Sequence, residues 1–221
     1  MNNLKRKLIK ISELFSFCYP RSYSQEGEDM VIKELFFKKR DGFFVDIGAH
    51  HPKRFSNTFH YYRLGWNGIN IDAMPGSMRL FKWLRRRDIN LEVGIGGEEG
   101  ELTFFIFDEP AVNTFSEEAA NLCIGKYNLI RKKAIKVYPL STILEKFTSK
   151  EIDIMSIDVE GMDLIVLKSN DWQKFCPKVI LVESFLVAQN GEPDEIASFL
   201  FSKGYEFYAC TRRTTIFLRR E

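Results

Sequence analysis

The stretch "FFVDIGAHHP", Phe43–Pro52, begins with an apolar run that contains Asp46 and is followed by Gly48 and two histidines. Such a run is typical of a buried β-strand. In a parallel α/β sheet the ligand site lies at the carboxyl ends of the strands, so we expect Asp46 and Gly48 there. A dinucleotide site would need glycines where His50 and Lys53 stand. The stretch therefore favours a nucleoside ligand without a pyrophosphate.

Eight further apolar runs follow, separated by helical or loop segments. Their alternation predicts a parallel sheet with helices on both faces, and the short connection between the last two predicts an antiparallel pair. We predict an α/β, Rossmann-like fold with a doubly wound, mostly parallel seven-stranded sheet and a C-terminal antiparallel hairpin. The nine strand candidates are Gly42–Ile47, Gly68–Asp72, Ile89–Ile95, Leu102–Phe107, Ala134–Tyr138, Ile152–Asp158, Lys178–Glu183, Tyr205–Cys210 and Thr214–Leu218.

Length and composition limit the classes of protein that fit. The 221 residues suit one domain, because a single hydrophobic core can grow to about 250 residues. The net charge is +2, far from the basic excess of nucleic-acid binders, so we predict no nucleic-acid partner. Four cysteines without a Cys-x-x-Cys pair indicate reduced thiols and a cytoplasmic location.

The first 21 residues have a pattern of their own. Apolar residues recur there at helical spacing, and charges at Lys10 and Glu13 interrupt the apolar run that a signal peptide requires. We predict an amphipathic helix over residues 1–21, followed by a single domain over residues 22–221. Peripheral contact of this helix with a membrane surface would fit its pattern.

A second predicted strand ends in Asp72, 26 residues after Asp46. That spacing is close to the roughly twenty residues between the glycine turn and the ribose-binding acid of nucleoside sites. S-adenosylmethionine is the common nucleoside cofactor without phosphates, and its ammonium group and ribose hydroxyls both need acceptors. The two aspartates could supply them. The alternative, that each aspartate only caps the next turn, stays open.

A third acidic strand end follows in "DIMSIDVEG", Asp153–Gly161. If this strand lies beside the first, Asp158 and Glu160 face the same crevice as the glycine turn. Either carboxylate could accept the proton of a hydroxyl group that attacks a methyl group. His50 and His51 are further candidates for that base. A divalent metal could activate the hydroxyl instead, but no ligand spacing indicates one.

Glu183 and the run Arg85–Arg87 are further charged groups for which the sequence suggests a role. Glu183 ends the strand in "VILVES" and could reach an acceptor from the other side of the site. The run Arg85–Arg87 is predicted to lie at a helix C-terminus, where the helix dipole favours positive charge. Binding of a substrate phosphate by these arginines is the alternative.

The joined motifs resemble the FkbM-type methyltransferases over about residues 22–185. The resemblance implies a class I, S-adenosylmethionine-dependent fold and O-methylation, typically of sugars or other secondary metabolites. Asp46 and Gly48 match the family's first cofactor motif, Asp72 its ribose acid, and the segment 158–161 its D-x-E-G motif. Glu92 stands where the family often has asparagine. The motifs that carry the resemblance are "SQEGEDMVI", "FFVDIGAHHP", "FSNTFHYYRLGWNGINIDAMP", "IDIMSIDVEGMDLIVLKSNDW" and "PKVILVES".

The leading hypothesis is an O-methyltransferase that acts on a hydroxyl of a sugar, glycan or related metabolite. A non-catalytic Rossmann-like binding or scaffold protein is the alternative. A nicotinamide-dependent oxidoreductase is disfavoured, because His50 occupies the position of the second glycine in a dinucleotide-binding motif. Residues 107–133 are predicted to form either a substrate loop and helix or a simple crossover. The predicted catalytic residues are Asp158, Glu160 and His50. The predicted cofactor-binding residues are Gln25, Asp46, Gly48, Ala49, Asn57, Asp72, Ala73 and Glu92.

Overall fold

The computed structural model describes residues 21–184 and 193–220. This part of the chain holds ten strands, seven α-helices and two 3-10 turns, at Lys33–Phe36 and Pro110–Val112. The strands are β1 Phe43–Ile47, β2 Asn67–Asp72, β3 Ile89–Glu92, β4 Gly94–Ile95, β5 Gly100–Phe107, β6 Leu129–Tyr138, β7 Ile154–Ile157, β8 Val179–Glu183, β9 Tyr205–Cys210 and β10 Thr214–Arg219. The helices are α1 Glu28–Val31, α2 Phe59–Arg63, α3 Met78–Leu84, α4 Glu117–Cys123, α5 Leu140–Phe147, α6 Asp163–Lys168 and α7 Glu195–Ser202.

The main sheet has seven strands in the order β3-β2-β1-β7-β8-β10-β9. All neighbouring pairs from β3 to β8 are parallel, while β10 runs antiparallel to both β8 and β9. The predicted fold class is confirmed. Because the chain moves outward from β1 to β3 and then returns to add β7 beside β1, strand order reverses between these two strands. A crevice at their carboxyl ends is the usual ligand site of such a sheet.

A second, three-stranded sheet in the order β4-β6-β5 was not foreseen. The prediction of one strand over Ile89–Ile95 was wrong, because this run divides between the two sheets. Its first half pairs with β2, and its second half pairs with β6. At the division, Gly94 packs so closely that an added Cβ would lie 2.7 Å from Phe115 and Val137. Only a residue without a side chain permits this approach.

The central strands of the main sheet, β1, β7 and β8, are buried on both faces, as their apolar sequences predicted. Successive residues of β1 alternate between two cores: Val45 packs with α5, α6 and α7, while Phe44 packs with Ile32, Tyr61 and Trp66. This alternation follows from the two-residue period of a strand. Helical segments therefore cover both faces of the sheet.

The connection from β1 to β2 contains less helix than its aromatic spacing suggested. Only Phe59–Arg63 forms an α-helix, and the preceding residues form a loop at the edge of the sheet. Within it His50 and Phe55 have positive φ angles of 49° and 59°. Pro52 lies between them, so the backbone cannot continue a helix there. The loop thus stands at the carboxyl end of β1 and forms part of the site described below.

The structure leaves two predictions about the N-terminal segment as they were, the amphipathic helix and the domain boundary after residue 21. The N-terminal amphipathic helix falls almost entirely on residues that the structure does not describe. The division into residues 1–21 and 22–221 therefore stays a prediction. The three described cysteines, Cys123, Cys176 and Cys210, are free.

Candidate active site

A cavity of about 700 Å³ opens at the carboxyl ends of β1, β2 and β7. Its volume is in the range of small-molecule and cofactor sites. The strand ends form its floor, and the segments 73–77 and 109–115 form one wall. The loop after β1 and the residues Gln25, Glu26 and Glu28 of the N-terminal segment complete the lining. The cavity therefore lies at the point where the strand order reverses.

Most of the predicted site residues line this one cavity. Three do not, namely Asp46, Ala49 and Glu92. The structure thus brings together all three acidic strand ends that the sequence singled out. The first of them contributes the turn residue Gly48 but not the Asp46 side chain. The predicted residues that line the cavity are Gln25, Gly48, His50, Asn57, Asp72, Ala73, Asp158 and Glu160.

Asp46 lies beneath the cavity instead of facing it. Its side chain is buried, and its Oδ2 accepts a 2.6 Å hydrogen bond from Thr58 Oγ1. Burial raises the pKa of Asp46 to about 6, against the opposing effects of Thr58 and Arg85. The expectation that this carboxylate binds the ammonium group of a cofactor is not supported by its position. Asp46 instead positions the start of α2 below the cavity.

The other two displaced residues have equally local explanations. Ala49 is buried against Met78 and Phe81, so its side chain packs under α3. Glu92 ends β3 in register with Asp72, but its side chain is exposed and does not line the cavity. A sequence spacing places residues at a strand end, but the direction of each side chain depends on the pleat and the turn that follow.

Gly48 is a glycine for a reason that the sequence did not show. We expected its missing side chain to make room for a ligand. Its φ angle is +78°, and the space where a Cβ would stand is filled by the backbone of Asp158. The glycine therefore permits close contact between the loops that follow β1 and β7.

Asp72 fixes two loops of the cavity. Its Oδ2 accepts a 2.8 Å hydrogen bond from the His50 backbone N–H, and its Oδ1 accepts one of the same length from Met74 N–H. Burial raises the pKa of Asp72, while these bonds oppose the rise. Each carboxylate oxygen can accept a further hydrogen bond. Asp72 can therefore still receive a hydroxyl group of a ligand.

Asp158, Glu160 and Glu183 form an acidic cluster on the other side of the cavity floor. One carboxylate oxygen from each lies within 4.8 Å of the others. Burial raises the pKa of all three, and their mutual repulsion raises it further for Asp158 and Glu160. The pKa of Glu160 rises to about 7. The Asp158 side chain is exposed within the cavity, and the four neighbouring carboxylates Glu160, Asp163, Glu183 and Asp46 all act to raise its pKa.

This acidic cluster can act chemically in two ways. A carboxylate with a raised pKa can take a proton near neutral pH. Three carboxylate oxygens could also bind a hard divalent cation. The sequence showed no ligand spacing that indicates a metal.

His50 is poorly placed to act as a base. Its Nε2 lies 3.0 Å from Arg54 Nη2, and because a guanidinium can only donate, Nε2 accepts this bond. Burial and the neighbouring Arg54 lower the pKa of His50, so the ring is neutral near pH 7. His51 accepts backbone N–H bonds through Nδ1 from Lys53 and Arg54. Both histidines thus hold the loop after β1, and the geometry favours the carboxylates as bases.

The segment between β5 and β6 contributes cavity residues that the sequence analysis placed in a candidate substrate loop or crossover but did not name individually. Val112, Asn113, Phe115 and Tyr127 all line the cavity. Thr114 is buried among them, and its Oγ1 donates a 2.7 Å hydrogen bond to the backbone oxygen of Glu160. This part of residues 107–133 is therefore a wall of the site and more than a crossover. The run "NTF" at Asn113–Phe115, with small polar and aromatic residues, was the sequence feature that could have identified this part of the cavity.

Arg85 follows the last residue of α3, so its predicted place at a helix C-terminus is confirmed, but its burial was not foreseen. Its guanidinium is fully buried, with a 2.7 Å ion pair from Nε to Asp88. It also donates to the Pro52 backbone oxygen and to Thr58 Oγ1, at 3.2 and 3.1 Å. Because Thr58 in turn donates to Asp46, Arg85 joins α3 to the loop after β1. A local charge pattern could not reveal Pro52 and Thr58, which lie 33 and 27 residues from Arg85 in the chain.

Comparison with known proteins supplies the family. A sequence model described as "Methyltransferase FkbM domain" matches residues 46–207, which is most of the chain. The chain belongs to the FkbM methyltransferase family. The resemblance drawn from the motifs is confirmed, and this FkbM-family domain is a methyltransferase domain. The matched range contains the acidic strand ends but not the N-terminal cavity residue Gln25.

Solved structures add little beyond this family assignment. One that resembles the FkbM-family domain is described as "Crystal Structural Analysis of the O-methyltransferase from Bacillus cereus in complex SAH". It shares 9% sequence identity, with a TM-score of 0.45 over 100% of this chain and 92% of that chain. No curated protein matches the sequence. Among the described residues of the methyltransferase, no helix has the length and apolar character to cross a membrane.

Proposed function

We propose that this methyltransferase transfers a methyl group from S-adenosylmethionine to a hydroxyl group of a sugar, glycan or related metabolite. One observation carries the proposal. Asp72, which can bind a ribose hydroxyl, and the candidate general bases Asp158 and Glu160 line a single cavity where the strand order reverses. A nucleoside end and a reacting end would then lie in the same space. The proposed site residues are those that line this cavity.

The donor would lie with its adenosine over β2. Asp72 can accept a ribose hydroxyl there, and the apolar residues Ile71, Met74 and Val93 line the space beside it. The sulfonium and ammonium groups carry positive charge, so they would be stabilised toward the carboxylates after β7. The loop after β1 offers His50 and not a second glycine, which suits a ligand without a pyrophosphate.

The chain's contribution to the reaction is positioning and acceptance of a proton. The acceptor oxygen attacks the methyl carbon as the carbon–sulfur bond breaks, which leaves S-adenosylhomocysteine. The hydroxyl proton passes to Asp158 or Glu160. In-line attack requires the oxygen about 3 Å from the methyl group, so most of the rate acceleration comes from holding the two reactants. S-adenosylmethionine itself supplies the leaving group.

The acceptor side of the cavity suits a sugar ring. Aromatic side chains at Phe55, Phe104, Phe115 and Tyr127 line the cavity together with polar groups. A sugar presents apolar C–H faces and hydroxyl edges, so this mixture of wall groups fits both. The family resemblance implies the same acceptor class. A cytoplasmic location and membrane contact through residues 1–21 remain predictions from the sequence.

Calorimetric titration with S-adenosylmethionine tests the proposal. We expect saturable binding to the wild type and at least about tenfold weaker binding to Asp72→Ala, because a charge-assisted hydrogen bond is removed. Glu98→Ala is the matched control, since this acid is exposed and does not line the cavity. An absence of binding heat in the wild type would contradict the proposal, as would equal affinities for the two variants. Incubation with labelled donor and defined sugars then identifies the acceptor.

A further inference from the structure

A second cavity, which we call the basic groove, lies beside the donor cavity. It measures about 540 Å³ and runs between residues 21–24 and residues 51–63. Its lining includes four cations, Arg21, Lys53, Arg54 and Arg63, and no Asp or Glu. On a chain whose net charge is only +2, this is a local concentration of one sign of charge. Such a cleft attracts anions.

We propose that the basic groove binds a phosphate group of the methyl acceptor. The proposal rests on the proposed function and specifies its acceptor class: a sugar that carries a phosphate or pyrophosphate. His51, Arg54 and Phe55 line both the basic groove and the donor cavity. One short loop therefore separates the two spaces. An acceptor whose hydroxyl enters the donor cavity would place an attached phosphate near this loop.

The cations of the basic groove are largely without acidic partners in the described chain. Arg54 is 4.0 Å from Glu109, and no ion pair within residues 21–184 and 193–220 involves Arg21, Lys53 or Arg63. These three side chains rest on aromatic rings, which hold a cation without neutralising it. The distances from cation to ring centre are 5.7–5.8 Å.

Tyr23 makes the floor of the groove rigid. Its backbone N–H donates to Asp29 at 2.8 Å, its backbone oxygen accepts from Ser56 N–H at 3.0 Å, and its ring packs edge-on against Phe59. Arg63 donates to the Tyr23 hydroxyl oxygen. The hydroxyl proton of Tyr23 thus remains available to an anion.

Phosphate fits this arrangement better than a single carboxylate does. A phosphate offers several oxygens in different directions, so it can contact cations on both sides of a groove. Arginine also forms paired hydrogen bonds with phosphate, and three of the four cations are arginines. A carboxylate would engage one guanidinium and leave the others unpaired. We therefore assign the groove to phosphate and treat a sugar acid as the competing ligand.

Calorimetric titration of the full chain with inorganic pyrophosphate tests the assignment. The variant Lys53→Gln/Arg63→Gln removes two groove cations that do not line the donor cavity. The control Lys38→Gln/Lys82→Gln removes the same charge from exposed lysines outside both cavities. We expect saturable pyrophosphate binding by the wild type and the control, at least about tenfold weaker binding by the groove variant, and unchanged affinity for S-adenosylmethionine in all three.

Several results would overturn the assignment. These are an absence of saturable pyrophosphate binding in the wild type, an equal loss in the control, and a parallel loss of S-adenosylmethionine affinity in the groove variant. Tighter binding of glucuronate than of pyrophosphate would replace phosphate by a sugar acid. The titration measures anion binding without methyl transfer. A wild type that binds pyrophosphate but not S-adenosylmethionine would therefore contradict the proposed function alone.

Discussion

A Cβ atom on residue 48 would lie 1.7 Å from the backbone oxygen of Asp158. The turn after β1 and the turn after β7 are therefore in direct backbone contact, and both border the cavity. Asp158 N–H also donates to the Ile47 backbone oxygen at 3.0 Å. Any side chain at position 48 must therefore displace the backbone of Asp158, one of the candidate bases.

The first prediction follows from this contact. Gly48→Ala should destabilise the fold by at least about 3 kcal/mol, because a positive φ and an overlap with backbone atoms act together. Gly125→Ala is the matched control: its φ is +93°, but nothing lies within 4 Å of the added Cβ. It should cost about 1–2 kcal/mol. Urea unfolding measures both, and equal losses would show that the contact with Asp158 is unimportant.

Removal of the proposed bases is the second prediction. Asp158→Asn and Glu160→Gln should each lower kcat by about 10²-fold or more, because general-base catalysis contributes 10²–10⁴. Affinity for S-adenosylmethionine should change much less than kcat in Glu160→Gln. Glu117→Gln, on the exposed start of α4, is the control. Full activity in both acid variants would exclude the carboxylates as bases and leave His51 as the remaining candidate base.

The third prediction concerns the pH dependence of the rate. Burial and the neighbouring Glu183 raise the pKa of Glu160 to about 7. A base must be deprotonated, so kcat/KM should rise with pH below about 7 and level off above it. The inflection belongs to the coupled acidic cluster and not to one residue. In Glu160→Gln the inflection should shift, and a profile flat from pH 5 to 8 would contradict the assignment.

The pH dependence of stability provides a fourth prediction. The pKa of Glu160 rises on folding from 4.5 to about 7, so the unfolded chain releases this proton first as pH increases. The stability gained from holding the proton is present below about pH 4.5 and is lost as pH rises toward 7. Glu160→Gln removes this loss. Its unfolding free energy relative to the wild type should therefore grow between pH 4.5 and 7, as measured by urea unfolding; a constant difference would argue against the raised pKa.

The fifth prediction tests the buried arginine. Arg85→Met leaves Asp88 as an uncompensated buried charge and should cost about 3–5 kcal/mol. Arg86→Met, at the neighbouring exposed position, should change stability by no more than about 0.5 kcal/mol. Because Arg85 bonds the loop after β1 through Pro52, the first variant should also weaken S-adenosylmethionine binding. Similar unfolding midpoints for the two variants would refute the network described here.

The parallel sheet and its acidic strand ends could be predicted because they depend on local patterns. Apolar runs such as Ile154–Ile157 must be buried on both faces, and short connections such as that before Thr214 permit only an antiparallel pair. The same reasoning could not separate Ile89–Ile95 into two sheets. That division depends on Phe115 and Val137, which lie far along the chain.

The candidate site shows the same limit at the level of single side chains. Asp46 and Asp72 have the same pattern in the sequence, yet only Asp72 lines the cavity. Thr58 and Arg85 draw Asp46 into a buried network, and neither partner can be recognised from the residues next to it. The basic groove likewise joins cations from two segments whose local composition is unremarkable.

The sequence by itself determined the family and the three acidic strand ends, because the motifs and strand ends depend on residues close together in the chain. Only the tertiary structure decided which of those acids face the cavity, why residue 48 is glycine, and that the segment before β6 forms a wall of the site. These outcomes depend on contacts between distant segments. The packing energy of such contacts is a property of the folded chain and not of any short stretch of residues.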